Sequence, residues 1–116
     1  MNYVTGIGGI FFRAKDPEAL AAWYEKNLGI NGFEWTQQAG QTVFAPFPAD
    51  TDYFGSSMQS FMLNFRVNDL DSLLTELKAN DVKIVKDVEE QTGVGRFAHI
   101  EDLEGNRIEL WEPQPE

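Results

Sequence analysis

Three kinds of side chain in this 116-residue chain could act together: the carboxylate of Glu109, the single histidine, His99, and three of the four arginines, Arg13, Arg66 and Arg107. Each falls in an alternating run, and side chains two apart in such a run share one face of a strand. A carboxylate held among Phe11, Met62 and Trp111 should be desolvated. Its pKa would then rise far enough for it to act as a general base, unless Arg107 or Arg66 lies close enough to oppose the shift. His99, if it faces inward beside Glu109, could serve as a second acid or base. The plainer readings are a salt-bridged structural Glu109 and a hydrogen-bonded wall histidine. Arginines gathered on one face of a chain of formal charge -10 suit an anionic or carbonyl-bearing ligand. Taken singly, Arg13 and Arg66 could instead pair with carboxylates at a sheet rim.

Other chemistries drop out. With no cysteine there is no disulfide, thiolate metal site or cysteine nucleophile. The cluster Gly6-x-Gly8-Gly9 precedes a strand-like run and lacks the helix and lysine of a phosphate loop. Ser56 and Ser57 have no histidine near them in sequence to suggest a nucleophile pair. Nineteen acidic residues against nine basic ones repel polyphosphate chains and anionic membranes, so nucleic acid is not expected as a partner. No apolar run is long enough to span a membrane, and residues 7–12 lack the flanks of a secretory signal. A soluble, cytoplasmic, bacterial-style protein of one domain over residues 1–116 is the expectation.

The elements that must position these groups repeat. Phe12-Arg13-x-x-Asp16 recurs as Phe65-Arg66-x-x-Asp69, an offset of 53 (65 minus 12), and the same offset relates Leu20 to Leu73, Asn27 to Asn80, and Phe44-Ala45 to Phe97-Ala98. Residues 1 to about 55 and about 56 to 116 read as two copies of one βαβββ unit. In the first, a strand over 5–14 leads to a helix capped by Asp16, with Pro17 in its first turn and a stop at Gly29. Strands over 33–37, 41–47 and 54–59 follow. In the second, a strand over 60–67 precedes a helix capped by Asp69, whose Leu70, Leu73, Leu74 and Leu77 form a core-facing stripe. Strands over 82–88, 95–101 and 106–113 complete it.

Strand parity then sorts side chains into two faces. Ile10, Phe12, Ala14, Leu63, Phe65, Val67, Ala98, Ile100, Ile108 and Leu110 make an apolar face for the helices. The opposite face carries Gly9, Phe11, Arg13, Met62, Asn64, Arg66, Phe97, His99, Glu101, Arg107, Glu109 and Trp111, a mixture of rings and spaced polar groups that suits a ligand pocket better than a wet surface. Trp23 and Tyr24 read as helix packing residues. The loop from Pro46 to Ser60, rich in Phe, Tyr, Gly and Ser, is placed to shape access to that pocket, or else simply joins the two units.

The segments Ala14-Lys15-Asp16-Pro17, Trp23-Tyr24-Glu25-Lys26-Asn27-Leu28-Gly29, Asn64-Phe65-Arg66-Val67 and Glu101 to Trp111 resemble the vicinal oxygen chelate superfamily, which includes glyoxalase I, extradiol dioxygenases, fosfomycin-resistance enzymes and bleomycin-binding resistance proteins. Its closing Asp-x-x-Gly-Asn-x-Ile-Glu-Leu run is the most specific part. The resemblance implies an α+β fold in which two βαβββ modules form a curved mixed sheet around a cleft. It also implies frequent dimerisation, with modules pairing across chains. Family enzymes hold a divalent metal with His or Glu from the first and last strand of each module. Those positions fall here on Gly9, Met62, Ser56 and Glu109, of which only Glu109 is a good hard-metal ligand. The expectation is therefore a small-molecule binding protein without that metal or any other cofactor. If it is catalytic, Glu109 would be the base and Arg13, Arg66 or Asn64 would stabilise an oxyanion. Two alternatives remain: a metal-dependent lyase, of lactoylglutathione lyase type, or dioxygenase with displaced ligands around Glu109 and His99, and a homodimeric binding or sequestering protein without catalysis.

Overall fold

Asp16 and Asp69, the repeated aspartates, each open a helix. In the computed structural model, which describes residues 3–115, the Asp16 carboxylate accepts from the Ala19 amide and the Asp69 carboxylate from the Ser72 amide, both at 3.1 Å. Helix α1 spans Pro17–Leu28 and ends where Gly29 takes a left-handed conformation (φ 68°), closed to a side chain's Cβ without strain. Helix α2 spans Leu70–Ala79 and buries Leu70, Leu74 and Leu77, with Leu73 packed at the edge of the same stripe.

Four strands follow the expected second unit: β1 Leu63–Arg66, β2 Ile84–Gln91, β3 Gly95–Glu101 and β4 Arg107–Pro113. The sheet order is β1-β4-β3-β2, with β1 parallel to β4 and the other pairs antiparallel. The sheet is open, and β1 and β2 are its edges. Ala98, Ile100, Ile108 and Leu110 meet Leu20, Tyr24, Leu70, Leu74 and Leu77 in one core, which is the helix-facing side that alternation assigns. At about 25 cal/mol per Å² of apolar area, burial of these large side chains is the main force holding helices to sheet.

The first unit differs from its expected form. Its helix is present, but residues 3–15 and 30–62 contain no strand. The runs over 5–14, 33–37, 41–47 and 54–59 therefore do not form the strands their alternation predicts. Alternation needs pairing with a neighbouring backbone to become a ladder, and these runs pair with none of the four strands. Ile10 and Phe12, expected against the helices, are correspondingly exposed. One trace of the repeat survives in space: Asn80 Nδ2 lies 3.4 Å from Asn27 Oδ1, so the two equivalent asparagines at the helix ends face each other.

The closing turn ties α1 to the sheet. Asp102, only 6% exposed, accepts from the Glu104 and Asn106 amides at 2.9 and 3.0 Å and from the Asn106 side chain at 2.8 Å. Its remaining bond comes from the Tyr24 hydroxyl, at 2.6 Å. Burial, then the bond to Asp102 and its charge, push the Tyr24 phenol well above the ordinary tyrosine range, so it stays a donor. Glu104 extends the seam by accepting from the backbone amides of Lys15 and Asp16 at 2.7 and 2.9 Å.

Candidate functional site

The sheet face away from the helices is centred on Glu109 in β4. Register places Asn64 of β1 on one side of it and His99 of β3 on the other, so the three side chains share a face as parity requires. Asn64 Nδ2 donates to Glu109 Oε1 at 2.7 Å, and His99 Nε2 lies 2.9 Å from Oε2. A fourth group arrives from the loop: the Tyr53 hydroxyl donates to Oε2. Glu109 is 7% exposed and His99 1%, so their contact is buried, while the bonds from Asn64 and Tyr53 are part-buried.

This arrangement shifts the Glu109 carboxyl in the opposite direction to the one burial alone gives. Burial raises its pKa, but the hydrogen bonds from His99, Tyr53 and Asn64 and the charge of His99 together outweigh it, and the carboxyl sits below its ordinary value. Neither Arg107 nor Arg66 supplies the opposition. An ionised carboxylate can only accept, so the His99 Nε2 carries the hydrogen, and His99 Nδ1 is left buried without a partner among the described residues. Tyr53 is held neutral by burial and by Glu109, both of which raise its pKa beyond the usual tyrosine range.

Around the centre the face is aromatic. Phe97 and Trp111, paired across β3 and β4 one step along from His99 and Glu109, stack at 6.2 Å with ring planes 4° apart. Tyr53 meets His99 edge-on at 5.0 Å, stacks on Phe47 at 5.6 Å, and carries the Lys86 ammonium 5.2 Å above its ring.

The remaining expected residues separate from this cluster. Arg66 lies on the predicted face, but its guanidinium donates to the carbonyls of Gln41 and Gln38 at 2.6 and 2.8 Å, so it holds the 38–41 loop. Phe11, 94% exposed, and Arg13 do not join Glu109, because the run carrying them is not part of the sheet. Met62 is half-buried just ahead of β1. Phe11, Arg13 and Arg107 instead border a cavity of about 310 Å³ where β1 and β4 begin, together with Gln59 and Phe61. There the Gln59 side chain bridges the Arg107 backbone, accepting from its amide and donating to its carbonyl, both at 2.8 Å, while Arg107 Nε is buried without a partner among the described residues. A second cavity, of about 400 Å³, is apolar and lies on the helix side of β1, between Phe65, Leu20 and Trp35. Neither cavity is lined by Glu109 or His99.

Tyr53 and Asp102 were not singled out by sequence reasoning for these roles. The signal for Tyr53 was a ring-rich loop opposite a polar face. For Asp102 it was an Asp-x-x-Gly-Asn turn whose carboxylate must find donors.

The donor set does not fit the divalent metal of the related enzymes. Gly9 offers no side chain, Met62 offers a soft sulfur, and both Glu109 oxygens are taken by protein donors. Among the described residues no three His, Asp or Glu side chains gather as a metal site.

A mixed sheet with helices behind it and a carboxylate, an imidazole and an amide converging on its other face defines an α+β protein with a polar cluster at the centre of that face. The chain belongs to the Glyoxalase/Bleomycin resistance protein/Dioxygenase superfamily, whose profile matches residues 6–110. It is similar to TnmS3, an antibiotic binding protein from Streptomyces sp. CB03234, with 25% identity and TM-score 0.55 over 85% of this chain and 88% of that one. TioX from Micromonospora sp. ML1 shares the fold, with 17% identity and TM-score 0.54 over 89% and 92% of the two chains. No curated protein matches in sequence. Among the described residues no helix is long and apolar enough to cross a membrane.

Proposed function

We propose that the chain binds a small organic molecule on the face around Glu109, His99, Asn64, Phe97 and Trp111, and does so without the family's metal. The observation that carries this reading is the convergence of three donors on a buried Glu109 beside an aromatic pair. The similarity to an antibiotic binding protein supports it. A carboxylate with a lowered pKa and both oxygens engaged is a weak base, which favours holding a ligand over proton transfer. The adjoining cavity with Arg13 and Arg107 would receive a carbonyl or anionic group of the same ligand, the buried Arg107 Nε offering an unused donor. A thermal-shift screen of aromatic and carbonyl-bearing small molecules, followed by calorimetry on the hits, tests this. Hits that lose affinity in Arg107→Ala and Asn64→Ala support it, and a flat screen sinks it.

A second copy of the chain is the partner we propose. The exposed rings of residues 3–61, with Phe11, Phe33, Phe44 and Phe47 among them, are more apolar surface than a lone chain usually leaves open. Sedimentation equilibrium checks this, and a monomer at micromolar concentration rejects it.

A further inference from the structure

The loop that crosses the site presents a ligand of its own. Residues 47–58 contain no helix or strand, and their backbone bonds are local turns, Pro48 to Thr51, Asp52 to Gly55 and Ser56 to Gln59. Gln59 ties the end of this loop to the Arg107 backbone at the start of β4, and Tyr53 is the side chain the loop sends to Glu109. That side chain engages three groups at once: its hydroxyl donates to Glu109, its ring lies perpendicular to His99 with centroids 5.0 Å apart, and Lys86 sits above it. Phe47, from the same loop, backs the ring.

We propose that Tyr53 stands in for the ligand, and that the site takes aromatic molecules carrying a neutral phenolic hydroxyl, which bind by displacing the Tyr53 ring from Glu109. The assignment rests on the binding role proposed above and deepens it. The chemistry selects this class on three grounds. Glu109 is an acceptor only, so the group that meets it must donate a hydrogen and must not be an anion. The Lys86 ammonium over the ring favours the face of an electron-rich aromatic, and the perpendicular His99 ring adds an aromatic contact. The stacked Phe97 and Trp111, one step along the same face, extend the aromatic floor for a second ring. Because Tyr53 competes for the same contacts, the free chain binds phenols more weakly than its site would allow.

The test uses the full chain with Tyr53→Ala and isothermal titration of p-cresol, toluene and 4-methylanisole. A hydrogen bond to a charged acceptor implies that p-cresol binds this variant about tenfold to a hundredfold more tightly than either ring lacking the hydroxyl donor. It should also bind at least about tenfold more tightly than it binds the wild-type chain. Equal binding of p-cresol and 4-methylanisole overturns the proposal, as does equal binding of p-cresol to variant and wild type. Should Tyr53→Ala fail to fold, Tyr53→Phe keeps the ring and gives up only the bond to Glu109, and p-cresol affinity no better than wild type overturns the proposal there. If p-cresol fails while other compounds raise the wild-type melting temperature, the phenol assignment falls and the binding role stands. If nothing binds, both fall.

Discussion

The two halves of this chain carry the same sequence plan and come to different ends. From Leu63 onward the plan yields four paired strands over a filled core, with Ala98, Ile100 and Leu110 fully buried. Before Leu63 it yields one helix and long stretches without strands, and Phe33 and Phe44 stand in solvent. The helix survives in both halves because its determinants are local: a capping aspartate, a proline at the first turn or a leucine stripe, and short-range bonds. The strands survive in only one, because a strand is a relation between two backbones. The halves also meet at a polar seam, Tyr24 on Asp102 and Glu104 on the Asp16 amide, which fastens α1 to the second half.

The largest effect expected from this contrast is in the core. Leu110→Ala should lower unfolding free energy by about 2–5 kcal/mol, since it empties space in a packed interior. Phe44→Ala, an 87% exposed ring in the first half, should stay within about 0.5 kcal/mol. Urea unfolding of both variants measures the difference. If Phe44→Ala proves as damaging as Leu110→Ala, and more so at high protein concentration, the first half is buried by a second copy in solution, and the contrast belongs to the lone chain only.

Much of this architecture was legible beforehand, for reasons tied to particular residues. Asp16, Gly29 and Asp69 mark helix ends by rules that act within one turn, and all three stand where those rules put them. Parity placed Asn64, His99 and Glu109 on one face, because alternation holds wherever a ladder forms. The same parity misled for Phe11 and Arg13, where no ladder forms. The sign of the Glu109 shift was out of reach for another reason. It depends on how many donors reach the carboxylate, and one of them, Tyr53, comes from a loop 56 residues away whose path no periodicity describes.

A smaller effect is expected at the seam between the halves. Tyr24→Phe keeps the ring in the core, where it meets Trp23 and Phe65 edge-on, and removes one donor from the buried Asp102. Asp102 retains three donors from its own turn, so the loss should be about 1–3 kcal/mol, set by what one unmade buried bond to a charged group costs. Hydrogen exchange sharpens the result. If the seam is what fastens α1, amides of Tyr24 to Gly29 should lose protection in Tyr24→Phe while those of β3 and β4 keep theirs. Uniform loss would mean that the helix and sheet open as one unit and that the halves are not separable.

The smallest effect should come from the site itself, since burial and hydrogen bonding pull Glu109 in opposite directions and leave only their difference. Its carboxyl is lowered from the ordinary value of 4.5 by donors that the unfolded chain lacks. The stabilisation it provides is therefore present above pH 4.5 and is lost as pH falls through the lower folded value, when Glu109 must take up a proton and release His99, Tyr53 and Asn64. Glu109→Gln cannot titrate, so its unfolding free energy should fall less steeply than that of wild type across this acid range, while the two curves run parallel above it. Urea midpoints at half-unit pH steps from 6 to 3 read this directly. A variant curve as steep as wild type would place the acid sensitivity elsewhere in this strongly acidic chain. It would also mean that the bonds from His99, Tyr53 and Asn64 to the ionised Glu109 contribute no measurable stability.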